Sequence, residues 1–82
     1  MNLYLFVRNT IMKEKDEIAK RLGANIANAR RARGLTQAQV AKSVFVTAQA
    51  VSKWESGKSQ PDVGTLFALS QLLGVTADEL LK

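Results

Sequence analysis

From about Glu14 onward the apolar positions fall into a helical rhythm. Ile18, Leu22 and Ile26 recur every fourth residue, and Ala19 and Ala29 fill the same side. The next member of that stripe is Arg30, a charge where an apolar residue is expected. Arg33-Gly34 supplies a stop, with Gly34 as the residue after the C-cap. Arg30, Arg31 and Arg33 lie in the last turn, where cations favour the negative end of the helix dipole. A second helix begins at once. Thr36 is its N-cap, Gln39 completes a capping box, and Val40, Ala41 and Val44 form the inward face. Thr47 reads as the N-cap of a third helix, running to Glu55, in which Val51 and Trp54 point inward. Ser56 to Pro61 is a loop signal. Asp62 caps a fourth helix to Leu73, with Val63, Leu66, Leu69 and Leu73 as its buried stripe and Gly74 closing it. Thr76 and Glu79 form a further capping box ahead of a short helix, Ala77 to Leu81. Five helices with short connections and no internal repeat predict a compact all-α domain over residues 15–82.

Residues 1–14 do not share this rhythm. Leu3 to Val7 is a short continuous apolar run, which reads as a strand rather than a helix. A lone strand is not stable, so it is expected to pair with a second copy, dock on the domain, or stay loose. A cloning remnant, or a reading frame starting at Met12, is the competing explanation. The run is far shorter than the ~20 residues a membrane span needs. No basic residue precedes it and no small-residue cleavage pattern follows, so it does not read as a signal peptide. A cytoplasmic protein is expected.

Composition narrows the chemistry. The 82 residues are enough for one domain, and they include no cysteine and no histidine. That removes disulfides, thiolate metal sites, the thiol nucleophile and the commonest general base. No set of carboxylates, hydroxyls and lysines forms a recognisable catalytic arrangement, so neither an enzyme nor a metal or other cofactor is expected. Residues 1–61 carry 11 basic and 4 acidic side chains, whereas residues 62–82 carry 1 and 3. The asymmetry predicts one basic face, the footprint of a polyanion binder.

Between Gln37 and Ser56, two short helices meet at a tight corner around Phe45 and Val46. Ala41 is small where the helices cross, and Val40, Val44, Val46, Val51 and Trp54 are apolar where the pair must rest on the other helices. This pattern holds a second helix proud of the surface, as a major-groove reader needs. The stretches GLTQAQVAKSV, VSKWESGKSQPD and LSQLLGVTADELL follow one another in register, and the chain from about Leu22 to Leu81 resembles the phage-repressor and Cro type, or XRE-like, helix-turn-helix domains. Two departures stand out. Phe45 occupies a turn position where that family favours glycine, which predicts either a modified turn or an exposed aromatic with a contact role. Ala48 and Ala50 replace longer polar side chains, which reduces the number of base-reading groups.

The resemblance implies roles for matching positions. Gln37, at the amino end of the second helix, is expected at a phosphate. Thr47, Ala48, Gln49, Ser52 and Lys53 form the DNA-facing side of the third helix. Gln49 is the best base reader, because its amide can pair bidentately with adenine. Lys53 is expected at guanine or a phosphate, and Ala48 at a thymine methyl. Ser56 and Lys58 are expected to hold the neighbouring backbone, with Arg31 and Arg33 close to the same side. Arg30 and Glu55 are expected to form a partly covered ion pair between the first helix and the recognition helix. Trp54 is assigned to the core by its helical position.

The implied function is a sequence-specific regulator, of repressor type, that binds double-stranded DNA as a homodimer on a pseudo-palindromic operator. The Leu80-Leu81 end of the last helix and residues 3–7 are the two candidate dimer surfaces. The alternative is an antitoxin or adaptor whose main partner is another protein, such as a toxin, with the LYLFV segment adding a strand to that partner.

Overall fold

The structure, a computed structural model, describes residues 2–82. Five helices follow one another: α1 (Leu3–Ala32), α2 (Gln37–Ser43), α3 (Ala48–Glu55), α4 (Val63–Leu73) and α5 (Ala77–Leu81). The body is built where α1 packs on α3 and α5, with α2 lying against α3 and α4. Its centre is a single apolar cluster. Ile26, Val40, Val51, Leu69 and Leu80 are fully enclosed, and Leu22, Ala41, Trp54 and Leu73 surround them. Each large aliphatic side chain so enclosed stabilises the fold by about 1.5–3 kcal/mol.

The cap chemistry appears as the sequence predicts. Thr36 with Gln39 and Thr76 with Glu79 make complete capping boxes, while Thr47 and Asp62 accept from Ala50 N–H and Thr65 N–H. The Thr65 backbone N–H holds the Asp62 carboxyl below its ordinary value. At the other ends, α1, α2 and α3 finish in the same left-handed motif. In each, the residue after the cap donates to a carbonyl three back, and the next donates five back. These bonds are Gly34 to Arg31 with Leu35 to Arg30, Phe45 to Lys42 with Val46 to Ala41, and Gly57 to Trp54 with Lys58 to Lys53. At the end of α4, Val75 donates to Ser70 in the same five-back pattern, with Gly74 left-handed.

Three expectations are corrected. Leu3 to Val7 is not a strand: it is the first turn and a half of α1, which runs unbroken through residues 14 and 15. Five residues are too few to separate the two periods, whereas the chain has no glycine or proline before Gly23, so nothing interrupts a helix that Asn2 starts by accepting from Leu5 N–H. Ile18 is exposed rather than buried, because it lies one turn before Leu22, the first large side chain of α1 that the body encloses. Val63 is also exposed; the buried side of α4 begins with Leu66, which is half-buried, and deepens at Leu69 and Leu73. The first half of α1 therefore projects from the body, and the molecule measures 50 × 23 × 20 Å.

Candidate nucleic-acid interface

Helix α3 is short, and its two sides are sharply different. Val51 and Trp54 are buried against the body, whereas Ala48, Gln49, Ser52 and Lys53 are exposed. At 100° per residue those four positions share one side of the helix, an arc of about 140°. Thr47, at the start, uses its hydroxyl oxygen to accept from Ala50 N–H at 3.1 Å. Ser56, at the end, donates its hydroxyl to Lys53 O at 3.1 Å. Lys58 is exposed in the loop beyond Gly57. The exposed arc, its capped start and the lysine-bearing loop form one continuous strip.

What aims this strip is a polar cluster behind it. Arg30 reaches from α1 to Glu55 with a two-pronged contact, Nε to Oε2 at 2.7 Å and NH2 to Oε1 at 3.0 Å. Its third nitrogen donates to Leu35 O at 2.9 Å, so one guanidinium ties α1, the following turn and α3 together. Gln37 Nε2 on α2 donates to Glu55 Oε1 at 3.0 Å. Both charged side chains are nearly covered, at 12% and 7% exposure. Burial pushes the Glu55 carboxyl up, and the hydrogen bonds from Arg30 and Gln37 outweigh it, leaving the group below its ordinary value. The hydrogen bond to Glu55 raises the Arg30 guanidinium. A fork of this kind fixes orientation through two parallel bonds.

Helices α1 and α3 meet at Gly23. A Cβ there would collide with the Trp54 carbonyl oxygen and stand 3.0 Å from that of Glu55. Only glycine allows the end of α3 to lie this close to α1.

The expected residues divide as follows. Thr47, Ala48, Gln49, Ser52, Lys53, Ser56 and Lys58 are all exposed along the α3 strip. The expected Arg30–Glu55 pair is present. Gln37 differs: its amide nitrogen is engaged by Glu55 and its side chain is half-buried, so what it presents at the head of α2 is chiefly backbone N–H. Arg33 turns away from the strip, because its Nε donates to Leu73 O at 3.3 Å and its guanidinium lies against Gly74. Sequence reasoning missed Gly23, although an isolated glycine inside a helical stripe is a signal of close packing. It also missed Asn25, whose amide caps α5 at Leu80 O at 2.9 Å.

The arrangement is that of a helix-turn-helix, and the comparisons agree. The chain belongs to the HTH_3 helix-turn-helix family, whose match covers residues 26–80. It is 46% identical over 53 residues to the HTH-type transcriptional activator BcrR of Enterococcus faecalis, covering 65% of this chain and 26% of that protein. It is 40% identical over 65 residues to the uncharacterized HTH-type transcriptional regulator y4dJ of Sinorhizobium fredii, covering 79% of this chain and 84% of that one. The SPbeta prophage-derived regulator YonR of Bacillus subtilis is 40% identical over 60 residues, covering 73% of this chain and 56% of that protein. The chain thus spans from about a quarter to just over half of the first two of these relatives it matches, BcrR and YonR. Among solved structures, the clp gene regulator ClgR of Corynebacterium glutamicum superposes with a TM-score of 0.74 at 23% identity, over 78% of this chain and 68% of that one. The restriction-modification controller protein C.AhdI of Aeromonas hydrophila gives 0.70 at 22% identity, over 76% and 94%. These two share the fold. The domain is a helix-turn-helix DNA-binding domain of the kind found in transcription regulators. No helix among the described residues is long and apolar enough to cross a membrane.

Proposed function

We propose that the protein is a sequence-specific transcription regulator that lays α3 in the major groove and binds a pseudo-palindromic operator as a homodimer. The observation that carries this reading is the exposed arc of Ala48, Gln49, Ser52 and Lys53 on a helix whose opposite side is locked to the body. In this reading Gln49 recognises adenine, Lys53 guanine or a phosphate, and Ala48 a thymine methyl. Thr47, Ser56, Lys58 and the N–H groups heading α2 at Gln37 hold the flanking phosphates. Repression is the proposed direction, because a protein seated over a promoter excludes the polymerase without any further contact.

The dimer reading draws its support from α1. At the Leu80-Leu81 end Leu80 is enclosed in the core and only Leu81 is exposed, whereas Leu3, Tyr4, Leu5, Phe6, Val7, Ile11, Met12 and Ile18 are all exposed. An apolar surface of this extent is the kind a second copy covers.

Selection of bound duplexes from a random pool at near-physiological salt, using wild type beside Gln49→Ala, tests the reading. A two-fold symmetric motif that the variant loses supports it, with half-sites about 34–36 Å apart. Binding without enrichment, abolished by modest salt, rejects it. Sedimentation equilibrium tests the dimer. A monomer that gains mass only with a second protein would move the antitoxin or adaptor reading ahead.

A further inference from the structure

Phe45 is the residue at the corner between α2 and α3. Its φ is +60°, in the left-handed region, and its side chain is 94% exposed. Of the two alternatives the sequence leaves at this position, a modified turn is not what occurs. Phe45 N–H donates to Lys42 O and Val46 N–H donates to Ala41 O, the same closing bonds found at the ends of α1 and α3. The chain therefore contains its own controls. At Gly34, Gly57 and Gly74 the corresponding left-handed residue is glycine, at φ +70°, +77° and +71°. The fold asks for glycine four times and receives it three times.

A phenylalanine here carries two costs and returns nothing to the fold. The left-handed backbone strains any residue with a Cβ, and a ring at 94% exposure leaves its apolar surface in water. Its position gives the compensating interaction. Phe45 lies two residues before Thr47, the cap of α3, and so at the end of the recognition helix whose residues enter the groove first. Lys42 and Ser43 before it, and Thr47 to Gln49 after it, are all exposed. That surround holds one lysine and three polar side chains besides Ala48, which suits a DNA strand better than a large apolar protein patch.

We propose that Phe45 is a DNA-contacting residue, its ring packing against a thymine methyl or deoxyribose at the edge of the groove that α3 occupies. It supplies apolar contact that the alanines at 48 and 50 do not. The inference rests on the DNA-binding reading above.

The test compares wild type, Phe45→Gly and Phe45→Ala, using the duplex that wild type selects from the random pool. Phe45→Gly relieves the backbone and is expected to melt about 4–8 °C higher, yet to bind that duplex about tenfold more weakly. Phe45→Ala keeps the backbone strain, melts near wild type, and loses the same affinity. Weaker binding by a more stable protein separates contact from folding. If both variants bind the duplex as wild type does, the ring does not touch DNA and the inference is overturned, with DNA binding itself intact. It is overturned equally if the variants keep DNA affinity but lose a protein that copurifies with wild type. If wild type enriches no duplex, the underlying reading fails and this inference fails with it.

Discussion

The two halves of α1 are made of similar residues and have opposite fates. From Ala19 to Ala32 the helix buries Ala19, Leu22, Gly23, Ile26 and Ala27 against α3 and α5. From Leu3 to Ile18 it carries eight large apolar side chains and buries none of them. Once residues 3–14 are helix and not the strand expected of them, Tyr4, Ile11, Ile18 and Leu22 fall on one side at intervals of seven, seven and four, so helical spacing does not distinguish the halves. What distinguishes them is supply: α2 to α5 provide one layer of apolar surface, and that layer ends at the level of Ala19. Hydrophobic periodicity states that a side needs covering. It does not state who covers it.

Gly23→Ala and Leu22→Ala should have the largest effects, the first because the added Cβ meets backbone on α3 and no side chain can yield. A loss of about 3 kcal/mol in urea unfolding is expected. A stability within 0.5 kcal/mol of wild type, on the scale of a surface change, would show that α1 and α3 are not held at this distance. Leu22→Ala, at 4% exposure, should cost about 2–4 kcal/mol by the same measurement.

Acid should act next, through Glu55. Glu55 is held below its ordinary value when folded, so its contribution is present above the unfolded value near 4.3 and disappears as pH falls through the folded one. The melting temperature should therefore drop below about pH 4, and the drop should be shallower in Glu55→Gln. Equal acid sensitivity in the two proteins would mean that the Arg30–Glu55 pair contributes no pH dependence. The smallest effect belongs to the projecting half. Ile11→Ala and Tyr4→Ala should each leave the monomer's stability within about 0.5 kcal/mol of wild type, while lowering the mass seen at sedimentation equilibrium. A large stability loss in either would place that half of α1 inside the folded body.

Much of the body was legible in the sequence because its signals are local. Thr36 with Gln39, Thr76 with Glu79, and Gly34 and Gly74 announce helix ends within three or four residues of where they act. Arg30 was legible as a charge interrupting an apolar stripe, and the family resemblance named its partner. The features that were not legible depend on residues distant in the chain. Gln37 and Glu55 are eighteen positions apart and Arg33 and Leu73 are forty, and nothing local says that the Gln37 amide turns inward or that Arg33 caps another helix. At the amino end the failure was of another kind. Five apolar residues fit both periods, and the evidence for a helix lay in the absence of breakers over the following fifteen.

The projecting half of α1 also governs how the molecule moves in solution. A body 50 Å long and 20–23 Å wide does not tumble like a sphere of its 9.0 kDa mass. Its drag exceeds that of a compact domain, so a single copy elutes early from a sizing column and imitates a larger species. Amide vectors in α1 lie along the long axis, so only the slow end-over-end tumbling reorients them, and they should show higher ratios of transverse to longitudinal nitrogen relaxation than those of helices that cross it. Elution volume is therefore a poor guide to the number of copies, and only a measurement independent of shape can count them.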